Sequence, residues 1–300
     1  MKKRFAILRA GAALAALLAG GAAPAAEFEW KLYTFYAIND VPTNLHRAYA
    51  KDLSEASGGR LKITVYAAGE LPYKAQDVLR VLSGRQIEVG NVNFGFVSGD
   101  APELNALSMP FVCTSWDKFY DRTLPRIAGK TAAVLEQRFK VVPLVQWAMP
   151  AQQLWTTKPV GSVEQMRRLK ARTWNREQIE TMRLLDGSGV VITSSEVIPA
   201  LQRGVVDGAF TASIPAYDWK FYEVTKYAYM MDITLGHEAL AEADEQARAN
   251  LAAKGMTLFP IKDEDRARLG ELTRPITADW AAKQPQAGRD ILQDVEETCR

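Results

Sequence analysis

Cysteine is almost missing: Cys113 and Cys299 are the only two in 300 residues. Two thiols cannot build a cysteine-based structural zinc site or a disulfide-dense scaffold. Histidine is equally scarce, and His46 and His237 lie far apart without HExxH or any other paired metal spacing. There is no G-x-S-x-G elbow, no phosphate loop and no dinucleotide fingerprint. Ser115-Trp116-Asp117-Lys118 matches S-x-x-K, but the S-D-N and K-T-G elements that complete that catalytic set are absent, and a chain with this much Ser and Lys yields about one such match by chance. The chain reads as a binder rather than an enzyme, with no cofactor and no metal.

An excess of charge of one sign is also lacking. Lys and Arg number 37 against 35 Asp and Glu. No basic run occurs, which argues against nucleic acid or an anionic membrane as partner. The only long uncharged apolar run is Ala10 to Gly20, well short of the ~20 residues a spanning helix needs. It follows Lys2, Lys3, Arg4 and Arg9 and precedes Ala23-Pro24-Ala25, which fits the small-residue rule for signal cleavage. Residues 1–26 are therefore expected to be a cleavable signal peptide and the protein to be periplasmic. Gly21, not Cys, follows the apolar core, so no lipid anchor and no membrane insertion after cleavage are expected. Without the leader's four positive charges the balance is 33 basic against 35 acidic, a net charge of about −2. An oxidising compartment would let Cys113 and Cys299 pair; equally, Cys299, the penultimate residue, could be an unpaired bystander.

The periodicities alternate between those of strands and helices. Trp30 to Tyr36 reads as a strand, followed by a polar turn at Asn39-Asp40 and by Leu45, Tyr49, Leu53 and Ala56 at helical spacing. Leu61, Ile63 and Val65 alternate as a second strand, and Val78, Leu79 and Leu82 mark a helix before Gly84. Further strands are expected at Glu88 to Asn93 and Val141 to Trp147, and Ser162 with Gln165 forms a capping-box signature. A βαβα order implies a largely parallel sheet. The first crossing between two lobes is expected near Met149-Pro150, which gives lobe 1 as residues 27–149, lobe 2 as 150–237, and a C-terminal helical segment at 238–300.

Arg172 to Tyr229 carries the most information. A strand ends in Leu169-Lys170-Ala171-Arg172, a helix follows, Val190 to Thr193 forms another strand, and a Ser-started helix stops at Gly204 before a third strand. Arg172 thus sits at the carboxyl end of a strand, where open α/β sheets bind ligands, and its planar fork of donors suits a carboxylate.

Three blocks in this region, LKAR ending at Arg172, EVIPALQRGVVDG (Glu196 to Gly208) and KFYEVTKY (Lys220 to Tyr227), occur in an order and spacing that resemble the solute-binding subunits of TRAP transporters, the tripartite ATP-independent periplasmic systems, of the C4-dicarboxylate-binding (DctP) type. A weaker resemblance runs through ASGGRLKITVYAAGELP (Ala56 to Pro72) and PFVCTSWDKF (Pro110 to Phe119). The resemblance implies an α/β, two-lobed periplasmic binding-protein fold with a ligand cleft between the lobes. It also implies integral-membrane TRAP permease subunits as partners in organic acid uptake. Arg172 matches the family's carboxylate-pairing arginine, and Thr211 matches a position that is often Asn and touches ligand. Gln152 and Gln153 stand where many members place a second arginine. Because Gln cannot neutralise a second carboxylate, a monocarboxylate with an apolar or aromatic body is expected. Trp147, Trp174, Asn175 and Phe210 are read as further pocket residues. In lobe 1, Tyr33, Phe35, Asn39, Glu70, Tyr73, Asn93 and Phe94 are candidates to face the cleft, whereas Tyr36 and Tyr66 are read as packing residues. After His237 the sequence departs from the family pattern: about 40 residues that supply a strand and a helix are missing. A binding subunit of another transporter or sensor, or a periplasmic enzyme, is the alternative reading.

Overall fold

A computed structural model of the chain describes residues 26–148, 151–233 and 247–299. Residues 1–25, Met149-Pro150 and residues 234–246, which include His237, lie outside the described residues, so the expectations placed there stay as sequence readings. Two separate sheets organise the rest. The first has strands β1 (Phe28–Tyr33), β2 (Leu61–Tyr66) and β3 (Val89–Gly90) in the order β2-β1-β3, all parallel. Helix α1 (Val41–Ala56) joins β1 to β2, and α2 (Val78–Ser83) precedes β3. The crossovers make a parallel sheet, as the alternating periods require. Helix α3 (Leu124–Val134) completes the first half and supplies Ile127 to its core.

The second sheet has six strands. They are β4 (Gln153–Thr156), β5 (Lys170–Thr173), β6 (Ser188–Val191), β7 (Gly208–Thr211), β8 (Tyr227–Met230) and β9 (Thr257–Pro260). Their order is β6-β5-β7-β4-β8-β9, with β4 antiparallel to β7 and β8 and the other pairs parallel. Helices α4 (Val163–Met166), α5 (Arg176–Leu184), α6 (Ser194–Gln202) and α7 (Ser213–Asp218) fill the connections from β4 to β8 in turn. Strand β9 corrects the purely helical reading of the C-terminal segment, because Thr257–Pro260 completes the edge of this sheet. Ser162 does cap a short helix: its hydroxyl accepts from the Gln165 N–H, while the Gln165 side chain accepts from the N–H of Gly161, one residue before the cap, at 2.7 Å.

The long C-terminal helices α8 (Asp263–Lys283) and α9 (Gln286–Cys299) bind the halves together. Leu269 of α8 packs into the core of the second sheet, whereas Trp280, Ile291, Leu292 and Val295 pack with Phe119 and Ile127 of the first half. Cys113 and Cys299 form a disulfide with Cα atoms 5.0 Å apart. Of the two sequence readings, pairing is the one observed.

Two expectations for the first half need correction. Val141 to Trp147 is not a strand: among the described residues the stretch has no ladder partner, and Val142, Leu144 and Val145 are each more than 65% exposed. Apolar alternation makes a strand only where a neighbouring strand takes its N–H and C=O groups, and the one backbone bond here runs from the Val141 N–H to the Leu135 carbonyl at the preceding helix end. Glu88 to Asn93 likewise shortens to Val89–Gly90, and β1 ends at Tyr33 rather than Tyr36. Helix α1 forms as expected, but Leu45 and Tyr49 are exposed while Thr43 and Ala50 are buried.

Candidate ligand-binding cleft

A cavity of about 700 Å³ lies between the two sheets, with walls from both. Its position follows from strand direction. Strand β5 sits between β6 and β7, and the chain turns away from the sheet just beyond Thr173, Val191 and Thr211. Arg172 is aligned with Val190 on one side and Ala209 on the other. Its side chain runs past both strand ends: Nε donates to the Ile192 carbonyl at 2.8 Å and Nη1 to the Phe210 carbonyl at 2.6 Å. These bonds fix the guanidinium plane but supply no counter-charge. Arg172 is only 3% exposed, and burial alone pulls its pKa down to about 10, so it stays cationic at neutral pH. Among the described residues no carboxylate pairs with it. Among the described residues Nη2 makes no hydrogen bond, and Arg172 is one of the residues that line the cavity.

Of the residues singled out from sequence, Tyr33, Asn93, Trp147, Gln152, Arg172, Trp174 and Thr211 meet on this cavity. Phe210, Gln153 and Asn175 do not. Phe210 and Gln153 neighbour Thr211 and Gln152, and successive side chains on a strand point to opposite faces. Phe210 is buried in the core of the second half and offers Arg172 only its carbonyl. Gln153 is fully buried, donating to the Asp232 carboxylate at 2.6 Å and accepting from the Asp232 N–H at 3.0 Å. Asn175 caps helix α5: its side chain accepts from the Gln178 N–H at 2.9 Å, while Gln178 accepts from the Trp174 N–H at 3.1 Å. One orphan donor of the first turn, the Gln178 N–H, is satisfied by Asn175, and the Gln178 side chain ties down the residue before the cap, so Asn175 has a structural task.

The first half contributes Phe35 and Tyr73 as expected. Tyr36, read from sequence as a packing residue, also lines the wall, whereas Asn39, Glu70, Phe94 and Tyr66 do not. Glu70 accepts from the Ala67 N–H at 2.7 Å in a turn. Sequence reasoning missed Asp40, His46, Phe96 and Asp218 on the wall. The one available signal was the Asn39-Asp40-Val41-Pro42 run, a helix start that places Asp40 at the cavity edge.

Two contacts cross the cleft. Phe96 meets Trp174 edge to face with ring centroids 6.1 Å apart, and the Trp219 indole N–H donates to Asp40 at 3.2 Å. Gly95 lets the Phe96 loop come this close, since a Cβ there would lie 2.1 Å from the Trp174 ring.

This arrangement matches a known family. Residues 39–236 match the family model described as bacterial extracellular solute-binding protein, family 7 (DctP). The chain belongs to this family. Among solved structures, a Chromohalobacter salexigens TRAP periplasmic solute-binding protein with bound D-glucuronate superimposes with a TM-score of 0.81 at 18% identity, covering 90% of this chain and 99% of that one. A Bordetella pertussis extracytoplasmic solute receptor binding pyroglutamic acid gives 0.78 at 20% identity, covering 89% and 99%. These likenesses show the two-lobed fold. A Nostoc protein named as a monocarboxylate 2-oxoacid-binding periplasmic protein is 30% identical over 167 residues, 53% of this chain and 44% of that protein. The chain's matches span 55–59% of the length of the first curated relatives. No helix among the described residues is long and apolar enough to cross a membrane.

Beside the cleft, α5 carries a second buried charge. Glu177 is 4% exposed and its Oε2 is enclosed without a hydrogen-bond partner. Burial raises its pKa, against a lowering contribution from Asn105. The folded state therefore holds this proton to a higher pH than the unfolded chain, whose carboxyl titrates near the ordinary 4.5. Stability should fall as pH rises from that value through the raised one, and the penalty should persist at neutral pH. Glu177→Gln is expected to raise the melting temperature at pH 7 and to flatten the acid side of the stability profile; thermal melts between pH 4 and 8 check this, and an unchanged profile contradicts it.

Proposed function

We propose that this protein captures a small monocarboxylate with an apolar or aromatic body in the cleft and delivers it to the membrane subunits of a TRAP-type permease. The carrying observation is the buried Arg172 guanidinium, which lines the cavity and has no counter-anion among the described residues. A ligand carboxylate would supply the missing charge through short, charge-assisted bonds. Trp174, Thr211, Gln152, Trp147, Asn93 and Tyr33 would enclose the rest of the molecule. No second arginine lines the cavity, and the aromatic wall favours an apolar body over a second charge.

Lobe 1 (27–149) and lobe 2 (150–237) would close on the ligand by the rigid-body motion common to two-lobed binders, and the closed shape is what the membrane partner would read. Removal of the leader 1–26 would place the protein in the periplasm. The name of the Nostoc relative supports the monocarboxylate class. A calorimetric competition screen tests the reading. Branched or aromatic 2-oxo and 2-hydroxy acids are expected to bind more tightly than succinate or malate; a ranking with the C4-dicarboxylates above every monocarboxylate overturns it.

A further inference from the structure

We infer that the cavity has an acidic second pole formed by Asp40 and Asp218, and that the natural ligand is dipolar, with its carboxylate on Arg172 and an ammonium or hydroxyl donor on Asp40. This rests on the carboxylate-binding reading above and narrows it.

Asp40 starts α1 in the first half, and Asp218 ends α7 in the second. Both line the cavity that holds Arg172. Asp40 is 7% exposed and accepts two N–H groups, from Ala37 at 2.9 Å and from the Trp219 indole at 3.2 Å. A carboxylate offers about four lone-pair positions, so roughly half of its capacity is unspent. Neither acid has a cationic partner among the described residues. Burial raises the pKa of Asp40; Asp218 is an exposed residue of the wall, and its partial desolvation together with the Asp40 charge raises its pKa as well.

The other titratable groups on the wall do not answer this charge. His46 is pulled down by burial and is neutral at pH 7. Lys74 is exposed, and its charge acts on Asp77, whose carboxyl it helps hold below the usual value. Arg172 forms no ion pair with either acid among the described residues, and it lines the cavity from β5, whereas the acids come from the start of α1 and the end of α7. A plain monocarboxylate would neutralise Arg172 and leave both acids against its apolar end. A dicarboxylate would set its second charge against theirs. A donor at that end satisfies Asp40 and removes the mismatch, and such charge complementarity governs which partner is accepted more than how tightly any partner binds.

The test uses the mature protein and linear acids of four, five and six carbons, each ending in methyl, hydroxyl or ammonium, titrated by calorimetry. At one length or more, a donor-ended acid is expected to bind at least about tenfold more tightly than its methyl-ended counterpart, the ammonium arm leading if charge dominates and the hydroxyl arm if hydrogen bonding does. Asp40→Asn should cut the ammonium preference to within about twofold, and Asp218→Asn, at an exposed position that keeps the Asp40 turn intact, should reduce it in part. Circular dichroism shows whether each variant folds, and Asp218→Asn remains decisive if Asp40→Asn does not. Equal binding of all three end groups, or a preference that survives in Asp218→Asn and in folded Asp40→Asn, overturns the second pole while leaving the monocarboxylate reading standing. Binding of none of these acids, or of the aromatic and branched acids of the earlier screen, overturns both.

Discussion

Arg172→Ala is expected to weaken binding of the cognate acid by about a hundredfold or more. A carboxylate drawn into the cleft loses water, and without the guanidinium it would lie buried and unpaired, at a cost on the order of 3 kcal/mol. The same change should cost the empty protein little. Arg172 is itself a buried cation without a counter-ion among the described residues, so removing it relieves a desolvation penalty and gives up two bonds to the Ile192 and Phe210 carbonyls. Affinity and stability should therefore move separately, which a purely structural arginine would not show. Arg172→Lys should also lose much of the affinity, because one ammonium cannot hold both carbonyls and still offer a planar fork to the ligand. Calorimetric titration with parallel thermal melts of the ligand-free variants measures both effects. Unchanged affinity in Arg172→Ala would remove Arg172 from the site.

Arg172 is legible because its signal is local: a strand pattern ending in a charged residue, followed by a helix start. What does not show in the sequence are the features fixed by neighbours. Choosing Gln152 over Gln153, or Thr211 over Phe210, depends on which face of each strand looks at the cavity. A pair of adjacent candidates in a short, wholly buried strand such as β4 or β7 gives no alternation from which to read that face. Asn175-x-x-Gln178 has the spacing of a capping box, yet the place of Asn175 next to Arg172 suggests ligand contact instead, and the structure decides for the cap. Val141 to Trp147 carries the apolar pattern of a strand, but pairing is a property of the sheet and not of the segment. Asp40 and Trp219 are 179 residues apart, and nothing in either neighbourhood announces that they meet.

Breaking the Cys113–Cys299 disulfide is expected to lower the melting temperature on the order of 10 °C, since about 1 kcal/mol corresponds to 2–4 °C or less in a chain of this size. The bond closes a separation of 186 residues, so it restricts much of the mature chain in the unfolded state. The chain-entropy relation gives roughly 5 kcal/mol for a loop of that length, comparable with the net stability of a domain. The native contacts around the bond should survive its loss. Helix α9 also holds to the first half through the apolar packing of Ile291, Leu292 and Val295, through Lys130 to Asp294 at 2.6 Å, and through the Thr123 and Thr298 hydroxyls at 2.7 Å. The tail should thus stay docked at low temperature, and the loss should appear in the melt rather than in the ligand-binding site, whose lining includes neither cysteine. Scanning calorimetry of the oxidised protein, the reduced protein and a Cys113→Ser, Cys299→Ser double variant checks this. A melting temperature unmoved by reduction and by the double substitution would show that α9's own contacts hold the tail in the unfolded ensemble as well, and would contradict the entropic account of the bond.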